Sequence, residues 1–182
     1  MNASERKPKG TTAEAPQQVQ MISFTIGSEQ FAVEILMVQE IIMMSDITEI
    51  PSAPDFVEGV INLRGSIIPV LDLRKRLRLR ARGKTDRSKP GTRILVVEID
   101  GNVTGFIVDT VSKVLTLPAA RILPPPDIIV AGVQSHYFSG VIHLDDSILV
   151  VLDFRKILSP EERGMLEQVP TAVAEGAVKT VR

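Results

Sequence analysis

A nineteen-residue stretch of this chain occurs twice. GVINLRGSIIPVLDLRKRL (59–77) and GVIHLDDSILVVLDFRKIL (140–158) align without a gap at a separation of 81 residues, with 12 of the 19 positions identical. Self-similarity at a fixed separation reports architecture before any single residue does. Each copy follows a two-strand hairpin pattern, Ile22 to Val38 before the first and Arg93 to Val108 before the second. Two similar small β units therefore lie in tandem. Each is too small to bury much surface alone, so the two are expected to share a core, with a boundary near residues 78–91.

The apolar runs are short and rich in Val and Ile: Met21–Ile26, Phe31–Val38, Ile67–Leu71, Ile94–Ile99, Val103–Val108, Val114–Leu117 and Ile148–Leu152. They read as strands. Gly27-Ser28, Asp100-Gly101 and Asp145-Asp146 separate such runs with tight-turn residues, and Asp100-Gly101 is the clearest hairpin. Long helices able to cover a parallel sheet are missing, which favours a mainly β barrel or sandwich. One short helix is well marked: Ser159 as N-cap, Pro160 at the first helical position and a carboxylate at Glu162 start it, and it should run to about Gln168. Residues 1–18 and the segment from Pro170 onward lack hydrophobic periodicity and read as flexible tails.

Composition excludes several classes. The 182 residues carry 21 Lys+Arg against 22 Asp+Glu, so no global field draws the chain to nucleic acid or anionic membrane. There is no cysteine and there are two histidines, which removes thiolate chemistry and Cys-based zinc sites. The N-terminus has no signal-peptide pattern and no stretch has transmembrane length, so the expected location is the cytoplasm.

Individual motifs then divide. Asn62-Leu63-Arg64-Gly65 interrupts the first repeat where the second has His143-Leu144-Asp145-Asp146. Gly65 suits the positive φ of a β-turn. Arg64 reads either as an ordinary turn arginine or as a guanidinium presented to a carboxylate or partner. Asp72 and Asp153 end equivalent strands and are expected to cap the turns that follow, not to act as paired acid and base. Glu40 lies between Val38 and Ile41 in apolar company, so it is exposed or paired. Arg74 to Lys89 holds nine basic residues among sixteen. It reads as a solvated loop, or alternatively as a nucleic-acid or membrane-surface binding segment. His136 and His143 come without metal-ligand or nucleophile spacing, and no catalytic, metal or cofactor-binding set emerges.

GVINLRGSIIPVLDLRKRL, FAVEILMVQEI (31–41) and GFIVDTVSKVLTL (105–117) resemble the CheW-like domain of chemotaxis coupling proteins, over about residues 20–168. The resemblance implies a mainly β fold of two tandem, five-stranded SH3-like barrels sharing a core: a first subdomain at about 19–82, a second at about 91–158 and a C-terminal helix at about 159–168. It also implies a non-catalytic adaptor without cofactor, working in the cytoplasm at membrane-associated receptor arrays. Its partners would be the regulatory domain of a CheA-type histidine kinase and the cytoplasmic tip of methyl-accepting chemoreceptors. By motif, Val38 and Glu40, then Asn62, Arg64 and Gly65, then Val114 are the implied receptor or kinase contacts, with Glu40 and Arg64 as an ion pair. The stiff Pro124-Pro125-Pro126 run and the arginine-rich segment after Asp72 depart from the commonest pattern.

Overall fold

The computed structural model describes residues 17–79, 89–126 and 135–168. Its strands are β1 (Gln18–Ile26), β2 (Glu29–Glu34), β3 (Val38–Met43), β4 (Val57–Leu63), β5 (Ser66–Asp72), β6 (Arg93–Ile99), β7 (Asn102–Val108), β8 (Thr110–Pro118), β9 (Ile122–Leu123), β10 (Phe138–His143) and β11 (Ile148–Leu152). A short helix α1 (Leu73–Arg76) follows β5, and a helix α2 occupies 160–168. Six of the seven expected strand runs fall within these elements. The seventh, Phe31–Val38, divides: β2 stops at Glu34, and one turn of 3-10 helix (Ile35–Met37) redirects the chain into β3.

That turn matters because it carries the chain from one sheet to the other. The five-stranded sheet runs β3-β6-β7-β5-β4 and the six-stranded sheet β8-β1-β2-β11-β10-β9. The hairpin β1–β2, which precedes the first repeat, pairs with the second repeat through β2 and β11. The hairpin β6–β7, which precedes the second repeat, pairs with the first through β7 and β5. The two halves of the sequence have thus exchanged hairpins. Among the described residues, neither the strands within 19–82 nor those within 91–158 form a barrel by themselves, because strand partners are set by contacts far apart in sequence.

Each sheet closes on itself. Downstream of β3, Thr48 exchanges backbone hydrogen bonds with Val60 of β4, both at 2.9 Å. Downstream of β8, β9 pairs with β10 in the same way. These closing contacts leave β3 and β8 as the terminal strands of their sheets and produce the pair of small barrels implied by the resemblance.

Among the described residues, three apolar clusters fill the interior. One lies inside the first, five-stranded barrel (Ile61, Ile68, Val70, Ile94, Val96, Ile107) and another inside the second (Met21, Ala32, Ile142, Leu149, Val151). The largest lies between the sheets and joins Phe24 and Phe31 of one to Phe106 of the other, with Phe154 packed edge-on to Phe106 at 4.6 Å between ring centres. This is the expected shared core. Burying four phenylalanines there stabilises the pairing of barrels by several kcal/mol, at roughly 1.5–3 kcal/mol per large side chain.

The local signals hold. Asp72 accepts from the backbone N–H groups of Arg74 and Lys75, and Asp153 accepts from that of Arg155, so both are caps. At α2 the Ser159 hydroxyl accepts from the Glu162 N–H at 3.2 Å while Glu162 accepts from the Ser159 N–H at 2.8 Å, a reciprocal capping box.

Candidate interaction surface

β5 and β7 run parallel, so the turns that open them, Arg64-Gly65 and Asp100-Gly101, stand at the same end of the first barrel. Both are two-residue turns with positive φ at both central positions: 52° and 91° in the first, 51° and 84° in the second. Such hairpin turns favour Asn-Gly or Asp-Gly, because few other side chains tolerate the left-handed region. Asp100-Gly101 obeys this preference. Arg64 does not, and a non-glycine residue there carries backbone strain on the order of 1 kcal/mol. The Asn62 side chain steadies the turn by accepting from the Gly65 N–H at 2.8 Å.

From that turn the Arg64 guanidinium donates to Glu40 of β3 at 2.8 Å, with side-chain exposures of 81% and 25%. The orphan carboxylate and the odd arginine therefore satisfy each other. At such exposure the pair contributes only ~0.2–1 kcal/mol, less than a reason to tolerate the strained turn. Asn62, Arg64, Gly65 and Glu40 form one cluster at the barrel mouth.

Val38 and Val114 sit differently. Val38 is half-buried against the central core, so a substitution there disturbs packing as well as surface. Val114 is exposed on β8, in the other sheet, opposite Ile22 of β1. It lies on the six-stranded sheet, whereas Glu40 and the Arg64 turn belong to the five-stranded one. It does have a counterpart, because Ile41 occupies the same place on β3, opposite Leu95 of β6. One 73-residue shift maps Leu95 on Ile22 and Val114 on Ile41. Ile41 and Met43 are 41% and 73% exposed, although their apolar side chains in the run after Val38 would suit a buried strand. Both lie beside Glu40 on β3, the terminal strand of its sheet, a position that only the strand pairing reveals.

The basic segment proves largely structural where it is described. Arg74 pairs with Asp109, and Lys75 pairs with Glu58 at 2.5 Å. Arg76 makes a two-pronged bond to Glu162 at 2.7 and 3.0 Å, donates to the Ile157 carbonyl, and lies over the rings of Phe56 and Tyr137. Three of the nine basic residues are thereby neutralised within the fold; residues 80–88 lie outside the described residues, as do 127–134 after the proline run. His136 packs on Tyr137, and Arg121 donates to the carbonyl of His143. Among the described residues no helix is long and apolar enough to cross a membrane, and no cluster of three or more acidic or histidine side chains could hold a metal.

Comparison with known proteins agrees with this arrangement. The model of the CheW-like domain matches residues 20–162. The chemotaxis protein CheW of Klebsiella aerogenes is 35% identical over 150 residues, covering 82% of this chain and 87% of that protein. The protein FrzA of Myxococcus xanthus is 30% identical over 152 residues, covering 82% and 91%. The crystal structure of the scaffolding protein TtCheW from Thermoanaerobacter tengcongensis superposes with a TM-score of 0.70 at 34% identity, covering 83% of this chain and 94% of that one. With its exchanged hairpins, closed barrels and ion-paired turn, this chain belongs to the CheW-like family of chemotaxis scaffold proteins.

Proposed function

We propose that this chain couples methyl-accepting chemoreceptors to a CheA-type histidine kinase in a chemosensory array in the cytoplasm, by association without turnover. The observation that carries this reading is Arg64. It occupies a strained left-handed position, is largely exposed and, among the described residues, is held by a solvent-screened ion pair. Strain of that kind persists where presentation of the side chain is useful. The planar guanidinium offers a partner carboxylate further donors in a fixed fork.

The docking surface in this reading comprises Glu40, Asn62, Arg64 and Gly65 at the barrel mouth, with Ile41 and Met43 beside them and Val114 on the second barrel. Val38 contributes through its packing under β3. Small apolar patches next to a charged cluster suit interfaces that form and exchange, since bulk hydrophobicity is not what marks such surfaces.

Titration calorimetry against the regulatory domain of the cognate CheA-type kinase tests the proposal, with an Arg64→Ala/Val114→Asp variant beside the wild type. Saturable binding by the wild type and its weakening in a variant that keeps its folded spectrum are expected. Absence of binding by the folded wild type would remove the kinase-coupling role.

A further inference from the structure

Ladder pairing in β3 contains one residue too many. Val38 stands opposite Val97 and Glu40 opposite Val96, so Gln39 has no counterpart on β6. Side chains alternate faces along a strand, and one inserted residue sends everything beyond it to the opposite face. Packing records the switch. Val38, like its partner Val97, belongs to the central core, whereas Ile42, like Ile94 and Val96, belongs to the interior of the first barrel.

Glu40 lies beyond the inserted residue and therefore shares the face of Ile42, which leads to the barrel mouth and Arg64. In a regular strand it would share the face of Val38 and be directed at the central core, where an unpaired carboxylate is costly. Gln39 is also tied down, since its Nε2 donates to Glu98 Oε2 on β6 at 2.5 Å.

The second barrel repeats the irregularity. Val114 stands opposite Ile22 but Val111 opposite Phe24, which leaves one extra residue on β8 at the matching place. There the pin is Ser23, whose hydroxyl donates to the Lys113 carbonyl at 3.0 Å and accepts from the Lys113 N–H at 3.3 Å. Two barrels thus keep the same bulge and secure it with different side chains from the neighbouring strand.

We infer that Gln39 is the positioning residue of the docking site: through Glu98 it holds the bulge that turns Glu40 toward Arg64. This rests on the proposed docking role, but its test is made in the free protein. The probe is NMR of the Arg64 Nε–Hε group, with its heteronuclear NOE reporting whether the guanidinium is held. Gln39→Glu sets two carboxylates against each other and is expected to abolish that NOE. Adding Glu98→Gln, which rebuilds the amide–carboxylate bond in reverse, is expected to restore it. Gln39→Ala should weaken the NOE without adding charge, and it serves as the deciding variant if Gln39→Glu does not fold. An unchanged Arg64 signal in a folded Gln39 variant overturns the inference, and so does mobilisation that Glu98→Gln fails to reverse. A kinase domain indifferent to Arg64→Ala would instead remove the docking role and leave the NMR result standing.

Discussion

Gly59 and Gly140 hold the same place in the two barrels, each where the closing segment crosses the main chain too closely for a side chain. A Cβ on Gly59, whose φ is 142°, would lie 2.1 Å from the Thr48 carbonyl oxygen. One on Gly140 would lie 2.6 Å from Ile122 Cγ2 and 2.8 Å from the Leu123 carbonyl oxygen. The glycine that opens both copies of the repeat is therefore a barrel-closing residue.

Substituting it should be costly. Gly59→Ala and Gly140→Ala are each expected to lower unfolding free energy by about 3 kcal/mol, since main chain must move. Gly65→Ala should cost only about 1 kcal/mol, because nothing lies within 4 Å of the added carbon and only its φ of 91° is unfavourable. Urea unfolding of the three variants checks the ordering; equal losses at all three would refute the closure argument.

Exchange of hairpins makes the halves interdependent. Fragments 1–88 and 89–182, expressed separately, should show no cooperative unfolding, because each would carry a hairpin whose partner strands are on the other. Mixed together they should regain a dispersed NMR spectrum. A fragment that folds alone would contradict the observed pairing.

Relieving the strained turn should separate stability from binding. Arg64→Asn places a residue suited to positive φ in the turn. It recovers strain on the order of 1 kcal/mol and loses an exposed pair worth ~0.2–1 kcal/mol. Thermal unfolding should therefore be unchanged or slightly raised, while affinity for the kinase regulatory domain falls tenfold or more. A variant that binds as wild type would show that the guanidinium is not a contact.

Arg76 joins α1 to α2 across 15% and 24% exposed side chains. Arg76→Ala removes the bonds to Glu162 and Ile157 and leaves those acceptors short of partners, which should cost about 2–3 kcal/mol. Ser159→Ala, which breaks only the cap, should cost about 1 kcal/mol. Chemical denaturation distinguishes them, and the Arg76 loss should persist at high salt because the pair is shielded from solvent.

Features set by neighbours in the chain were legible from the residues alone. The Asp72 and Asp153 caps, the Ser159–Glu162 box, the Asp100-Gly101 turn and the repeat at 59–77 and 140–158 depend on contacts within a few positions or on direct self-comparison. The break at Ile35–Met37 was hidden, since an apolar run through Val38 looks continuous whether or not the chain changes sheet. So was the exposure of Ile41 and Met43, because composition cannot tell a buried strand from an edge.

The Glu40–Arg64 pair came from resemblance, since the residues themselves left Glu40 exposed or paired and Arg64 with two roles. Its geometry depends on the β3 bulge, which periodicity cannot register without knowing the partner strand. Tertiary structure likewise decided which hairpin completes which barrel. Turn and cap preferences are local energies carried by a few residues, whereas strand partners are chosen by the burial of Phe24, Phe31, Phe106 and Phe154 together in one core between the sheets. That choice exists only once the whole chain has folded.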